Sequence, residues 1–132
     1  MAGTLTISTL SDGTNSTSST NCIQGSAKAW ANWNGISGVT IRASYNVSSV
    51  TRNSMGNYTI NFTSALANAN YAPTILCSYG GSTNNWSSGY IFDSAAGGTN
   101  PTTSALRIAT LYYLAGYTYN DATYINVGVF SS

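Results

Sequence analysis

The chain has 132 residues, 42% of them hydrophobic and 12% aromatic, yet only 5% charged, with a formal net charge of +1. That length suits one domain, and the ten Tyr and three Trp set it apart from disordered chains, which are charged and poor in aromatics. The four Lys and Arg residues are too few and too scattered for the basic stripe of a nucleic-acid binder, and no apolar run approaches the ~20 residues of a membrane span.

Residues 1–10 alternate Leu5 and Ile7 with Thr and Ser, which reads as a short strand. Residues 11–21 are polar and of low complexity, and read as a linker. Residues 1–21 together form an extended arm before a single β domain over residues 22–132. A lone strand cannot bury its own apolar face, so Leu5, Ile7 and Leu10 are candidates for docking on a neighbouring subunit; an edge strand of the same domain is the alternative. Residues 26–33 are a strand, and Asn34-Gly35 is a turn. Residues 38–47 place Val39, Ile41, Ala43, Tyr45 and Val47 on one face at period two. Residues 48–53 continue extended into a turn at 54–57. Residues 57–63 alternate Tyr58, Ile60 and Phe62 with Thr59, Asn61 and Thr63.

Residues 71–79 form the next strand, with Pro73 near its start or on an edge. Residues 80–89 read as a polar loop carrying Trp86, residues 90–93 as a short strand and residues 95–103 as a loop. Residues 104–114 and 122–130 are the last long strands. The helix formers at 106–114 are outvoted by Ile108, Thr110, Tyr112 and Tyr113, and residues 64–70 are too short for more than a turn. Many short strands separated by turns predict an all-β fold, an antiparallel β-sandwich or small barrel.

The chain has no His and no Glu, so His-based nucleophilic triads are excluded. Of the three Asp, only Asp93 and Asp121 could act as a glycosidase pair, and both read instead as loop-forming residues. The expectation is a protein with no catalytic residue, no cofactor and no metal. Cys22 and Cys77 have no zinc-ligand spacing. They read as buried free thiols, with a disulfide as the alternative in an oxidising medium. The N-terminus carries no basic, apolar leader, so synthesis in a cytoplasm is expected.

Binding is the better prospect. Tyr and Trp beside Asn and Ser combine rigid aromatic anchors with adaptable hydrogen bonding. Two stretches carry that chemistry: Tyr79, Asn84, Asn85, Trp86 and Tyr90, then Tyr117, Tyr119 and Tyr124. Sugar rings or another protein are the ligands such surfaces suit. Trp30 and Trp33 have opposite parity on one strand, so covering both requires core on one side and an interface on the other. Near-zero net charge also favours association.

Several stretches carry a family resemblance: Lys28-Ala29-Trp30-Ala31-Asn32-Trp33-Asn34-Gly35, Val39-Thr40-Ile41-Arg42-Ala43-Ser44-Tyr45-Asn46-Val47-Ser48-Ser49-Val50, Gly56-Asn57-Tyr58-Thr59-Ile60-Asn61-Phe62-Thr63, Ala69-Asn70-Tyr71 and Tyr124-Ile125-Asn126-Val127-Gly128-Val129-Phe130. In order and spacing they resemble a module of tailed-bacteriophage virion proteins, many from marine phages and cyanophages. Those proteins carry KAWVNFNG-, VAIRASFNVSS- and GDYTVNFT-like strands and are often described as tail fibres. This chain departs at Trp33, where Phe is usual, and at Asn57, where Asp is usual. The resemblance implies a non-enzymatic virion structural protein on the particle surface, of tail-fibre or receptor-binding type. It implies a homo-oligomer, with a trimer expected from fibres, alongside other virion proteins and a host surface glycan or receptor. A capsid decoration protein shares these features, and a free carbohydrate-binding β-sandwich is the third alternative.

Overall fold

The computed structural model describes residues 3–78, 86–113 and 116–131. In chain order the elements are β1 (Thr9–Ser11), β2 (Ser16–Ser18), α1 (Ser19–Gly25), β3 (Ala27–Asn34), β4 (Thr40–Tyr45), β5 (Val47–Ser54), β6 (Asn57–Phe62), β7 (Ala72–Ser78) and β8 (Trp86–Ile91). A 3₁₀ turn (Ser94–Ala96), β9 (Ala105–Tyr113), β10 (Tyr117–Tyr119) and β11 (Tyr124–Phe130) follow. One sheet has the order β4-β3-β11-β7; the other runs β10-β9-β6-β5, with β8 also paired to β9. All pairings are antiparallel. The predicted all-β sandwich is the architecture, and no closed barrel forms among the described residues.

Period-two patterning builds the core. Ala29, Ala31 and Trp33 of β3 and Ile125, Val127 and Val129 of β11 meet Tyr58, Ile60 and Phe62 of β6 and Leu106 and Ile108 of β9 in one buried cluster. Trp33 and Tyr58 cross edge to face, with ring centroids 5.7 Å apart, a favoured aromatic geometry. Pro73 lies on β7, an edge strand, where its missing N–H is tolerated.

The arm departs from expectation. The strand is Thr9–Ser11, not residues 1–10, and the supposed linker contains β2 and the start of α1. The polar residues close a hairpin: Asp12 Oδ1 accepts from the N–H of Thr14 at 2.9 Å and of Asn15 at 2.7 Å. Ser18 caps α1 by accepting from Asn21 N–H at 3.1 Å, the usual N-cap role of serine. The proposed boundary at residue 21 therefore falls inside a helix. Cys22 sits in that helix and is exposed, against the expectation of burial, while Cys77 is half-buried; both are free. No helix among the described residues is long and apolar enough to cross a membrane.

The single face expected for residues 39–47 is also corrected. Ile41 pairs with Trp33 but Ala43 pairs with Asn32, so a bulge at Arg42 switches parity within β4. The chain then turns at Asn46 (φ 53), a left-handed position that Asn tolerates. Asn46 Nδ2 donates to Lys28 O at 3.0 Å and Ser64 O at 3.1 Å, and its Oδ1 accepts from Ser64 N–H at 2.8 Å. This residue hands the chain from one sheet to the other.

The Met55-Gly56 turn joins β5 to β6 where Ser54 pairs with Asn57. Gly56 has φ 65, and a Cβ there would meet Thr110 O, with Asn120 N at 2.6 Å. Gly56→Ala combines a left-handed penalty with a backbone clash and is expected to cost about 2–4 kcal/mol, read as a lowered denaturant midpoint. At Gly89 a Cβ would strike the Ile75 side chain, so its absence lets β8 lie close against β7.

Candidate functional site

Tyr90 of the first aromatic stretch and Tyr117 and Tyr119 of the second meet on the outer face of β8, β9 and β10. Cross-strand partners share a face, and Tyr113 pairs with Tyr117 while Leu111 pairs with both Ser88 and Tyr119. One row further, Ala109 pairs with Tyr90. The Tyr90 and Tyr119 hydroxyls are hydrogen-bonded at 3.0 Å. Phe92 lies edge-on between the two rings, with centroids 6.1 Å from Tyr90 and 5.9 Å from Tyr119. Tyr113 and Tyr117 form an angled pair, 5.4 Å between centroids and 65° between planes. Beside them Ser87, Ser88, Leu111, Tyr113 and Tyr117 line a concavity of about 650 Å³.

The concavity is open to solvent and no charged side chain lines it among the described residues, while Arg107 and Asp93 lie beyond it, beside Phe92 and Tyr90. Among the described residues, Tyr117 is 79% exposed and Tyr113 50%, and adjoining exposed aromatic rings mark surfaces that bind. Burial, then the bond to Tyr119, pushes the Tyr90 hydroxyl up to about 12, so it stays protonated at neutral pH. Arg107, nearby on β9, stacks its guanidinium 5.2 Å over Phe92 and donates from Nε to Asn57 Oδ1 at 2.9 Å. Among the described residues no group of three His, Cys, Asp or Glu gathers.

No protein-family model, no curated protein and no solved structure matches the chain.

The other expected contact residues distribute as follows. Tyr79, Asn84 and Asn85 lie outside the described residues, as does the side chain of Trp86, whose backbone opens β8 opposite Tyr113. Residues 86–89 are strand rather than loop, and Tyr117–Tyr119 is a strand not anticipated. Tyr124 does not join the face: it belongs to the other sheet, where the Arg42 guanidinium sits 4.2 Å over its ring. Trp33 is fully buried in the core, and Trp30 is 40% exposed on the outer face of β3. There Trp30 pairs with the exposed Tyr45, and Leu76 on the same sheet is also exposed.

Sequence reading missed Ser88, Phe92, Leu111 and Tyr113. Only Tyr113 had a usable signal: the glycine at 116, just before Tyr117, is a turn residue in the sequence and would let the two tyrosines pair. In the arm, Leu5, Ile7 and Leu10 share a groove of about 380 Å³ with Cys22 and Ile23, and Ile23 was missed because residues 22 onward were assigned to the β domain and no helix was expected over Ser19–Gly25.

Asp93 and Asp121 are each committed to local structure. Asp93 caps the 3₁₀ turn by accepting from Ala96 N–H at 3.1 Å. Asp121 accepts from Arg52 Nε and Nη2, at 3.0 and 2.7 Å, from Gly56 N–H at 2.9 Å, and from the Tyr58 hydroxyl. Burial alone would raise its pKa; the bonds from Arg52, Tyr58 and Gly56 outweigh that and hold it below the ordinary carboxylate value.

Proposed function

We propose that this chain is a non-enzymatic structural module of a phage particle surface, of tail-fibre or receptor-binding type, made in the host cytoplasm and held in a homo-oligomer through its N-terminal arm. The observation that carries this is the arm itself. Residues 3–26 fold into a hairpin and a helix, yet none of their side chains is buried. Leu5 is 81% exposed, and Leu10 and Ile23 are also open to solvent. Two three-residue strands and a seven-residue helix are too short to be stable alone. Such a segment belongs against a neighbouring subunit. Exposed Trp30, Tyr45 and Leu76 offer a second apolar surface for assembly, and the sparse charge places little electrostatic cost on bringing copies together. A trimer is the expected state, following the fibre resemblance. The two engaged carboxylates and the lack of His and Glu speak against acid-base chemistry near neutral pH.

The arm equally suits a capsid decoration protein, whose arms would lie across the head lattice. Locating the chain in a reconstruction of the whole particle separates head from tail. Oligomeric state is tested by native mass spectrometry at micromolar concentration. The intact chain is expected to assemble, and the double variant Leu10→Asp, Ile23→Asp to run as a monomer whose β domain still unfolds cooperatively. An intact chain that is itself monomeric would remove the assembly reading.

A further inference from the structure

We infer that the concave tyrosine face of β8, β9 and β10 is a binding site for a neutral glycan; this deepens the receptor-binding reading and rests on it. Three features select that ligand class. First, the Tyr113 and Tyr117 rings stand at 65° to one another, so they form a corner rather than a flat stack. A pyranose can lay its C–H face on one ring while the other bounds its edge, with the apolar Leu111 side as floor.

Second, the polar groups around that corner are hydroxyls. Ser88 and Tyr119 flank Leu111 in register, and Tyr119 shares a hydrogen bond with Tyr90. One hydroxyl of that pair donates to the other, which leaves one O–H free to donate and lone pairs free to accept. That mixed donor and acceptor pattern matches sugar hydroxyls.

Third, no charged side chain lines the concavity among the described residues. Ser87, Ser88, Leu111, Tyr113 and Tyr117 line the concavity, and Arg107 is already placed over Phe92 and bonded to Asn57. A carboxylated sugar would lose hydration without gaining a cation, so the site discriminates in favour of uncharged rings. The concavity of about 650 Å³ is in the range of small-molecule sites. A second protein surface would instead need a much larger contact, ~800 Å² per partner.

The test uses the full chain. Maltotriose, cellotriose and triacetylchitotriose serve as neutral probes, and trigalacturonate as the acidic one, each titrated by calorimetry or followed by NMR shifts. At least one neutral trisaccharide is expected to bind and to outcompete trigalacturonate. Tyr117→Ala and Tyr113→Ala are expected to weaken it by about tenfold or more, while Tyr117→Phe, which keeps the ring, stays near the parent. Thr40→Ala, at an exposed position of the other sheet, should leave it unchanged. Because Tyr117 is 79% exposed, its variants should unfold with parental midpoints, which guards against a folding artefact. Silence with all three neutral probes would overturn the inference, as would tighter binding of trigalacturonate or undiminished binding in Tyr117→Ala. Loss of self-association in Tyr117→Ala, with no sugar binding, would overturn it too and make this face an interface between copies. A silent panel with an intact oligomer removes the glycan site alone, whereas sugar binding by a monomer removes the assembly reading alone.

Discussion

Trp33→Ala should lower stability by about 3–5 kcal/mol, with a fall in thermal midpoint of roughly 10–15 °C for a domain of this size. Trp33 is fully buried and edge-on to Tyr58, and it belongs to the cluster that joins the two sheets. Removing it opens a cavity at the seam between the two sheets. Trp33→Phe should behave differently. The indole Nε1–H is buried and finds no acceptor among the described residues, and an unpaired buried donor costs about 1–3 kcal/mol. Phenylalanine leaves a smaller void, costing about 1–2 kcal/mol, and removes that orphan donor. The two effects nearly cancel, so Trp33→Phe is expected within about 1 kcal/mol of the parent. Chemical denaturation of the three proteins decides it. A phenylalanine variant as unstable as the alanine one would mean that the indole N–H has an acceptor after all.

The same strand shows what was legible in the sequence. Alternation alone set Tyr58, Ile60 and Phe62 on one face of β6, which proves to be the core face, and put Trp30 and Trp33 on opposite sides of β3. Period-two burial is a local property of an extended chain, so it survives without knowledge of partners. The arm was not legible for the opposite reason. Asp12, Asn15 and Ser18 make short-range hydrogen bonds to their own backbone, and the same residue types fill flexible linkers. Composition cannot separate a capped helix from a polar spacer when the helix is a mere seven residues. The reversal at Asn46 and the bulge at Arg42 were hidden because both are set by the opposing strand rather than by their own pattern.

The tyrosine face lay between these cases. Its residue types stood out, and Tyr90, Tyr117 and Tyr119 were singled out from two separate stretches. Their convergence depends on β9 pairing with β8 along one edge and with β10 along the other. Tyr124, only five positions beyond Tyr119, went to the other sheet because the chain crosses over at Asp121. Register, which is a tertiary quantity, decided which aromatic residues became neighbours.

Asp121 is where that crossover is fastened, and acid should loosen it. The carboxylate ties the β10–β11 connection to Arg52 on β5, to Tyr58 on β6 and to the Gly56 turn. Arg52 is 35% exposed and Asp121 15%, so solvent screens the ion pair and Arg52→Ala should cost much less than removal of the carboxylate. Asp121→Ala strands several donors at once, including the hydroxyl of the buried Tyr58. It should cost about 2–4 kcal/mol, with Asp121→Asn in between. Because the folded-state pKa of Asp121 lies below its ordinary value, its contribution is fully present above the unfolded value of about 3.9. It is lost as pH falls through the lower folded value, when the native state must take up a proton it does not bind at neutrality. Parent and Asp121→Asn should therefore differ most near neutral pH and converge in strong acid. With three aspartates and no glutamate or histidine in the chain, few side chains titrate in that window, so urea midpoints from pH 7 down to about 2 resolve the effect of this single group. A constant gap between parent and variant across the whole range would show that the charge on Asp121 does not hold the connection in place.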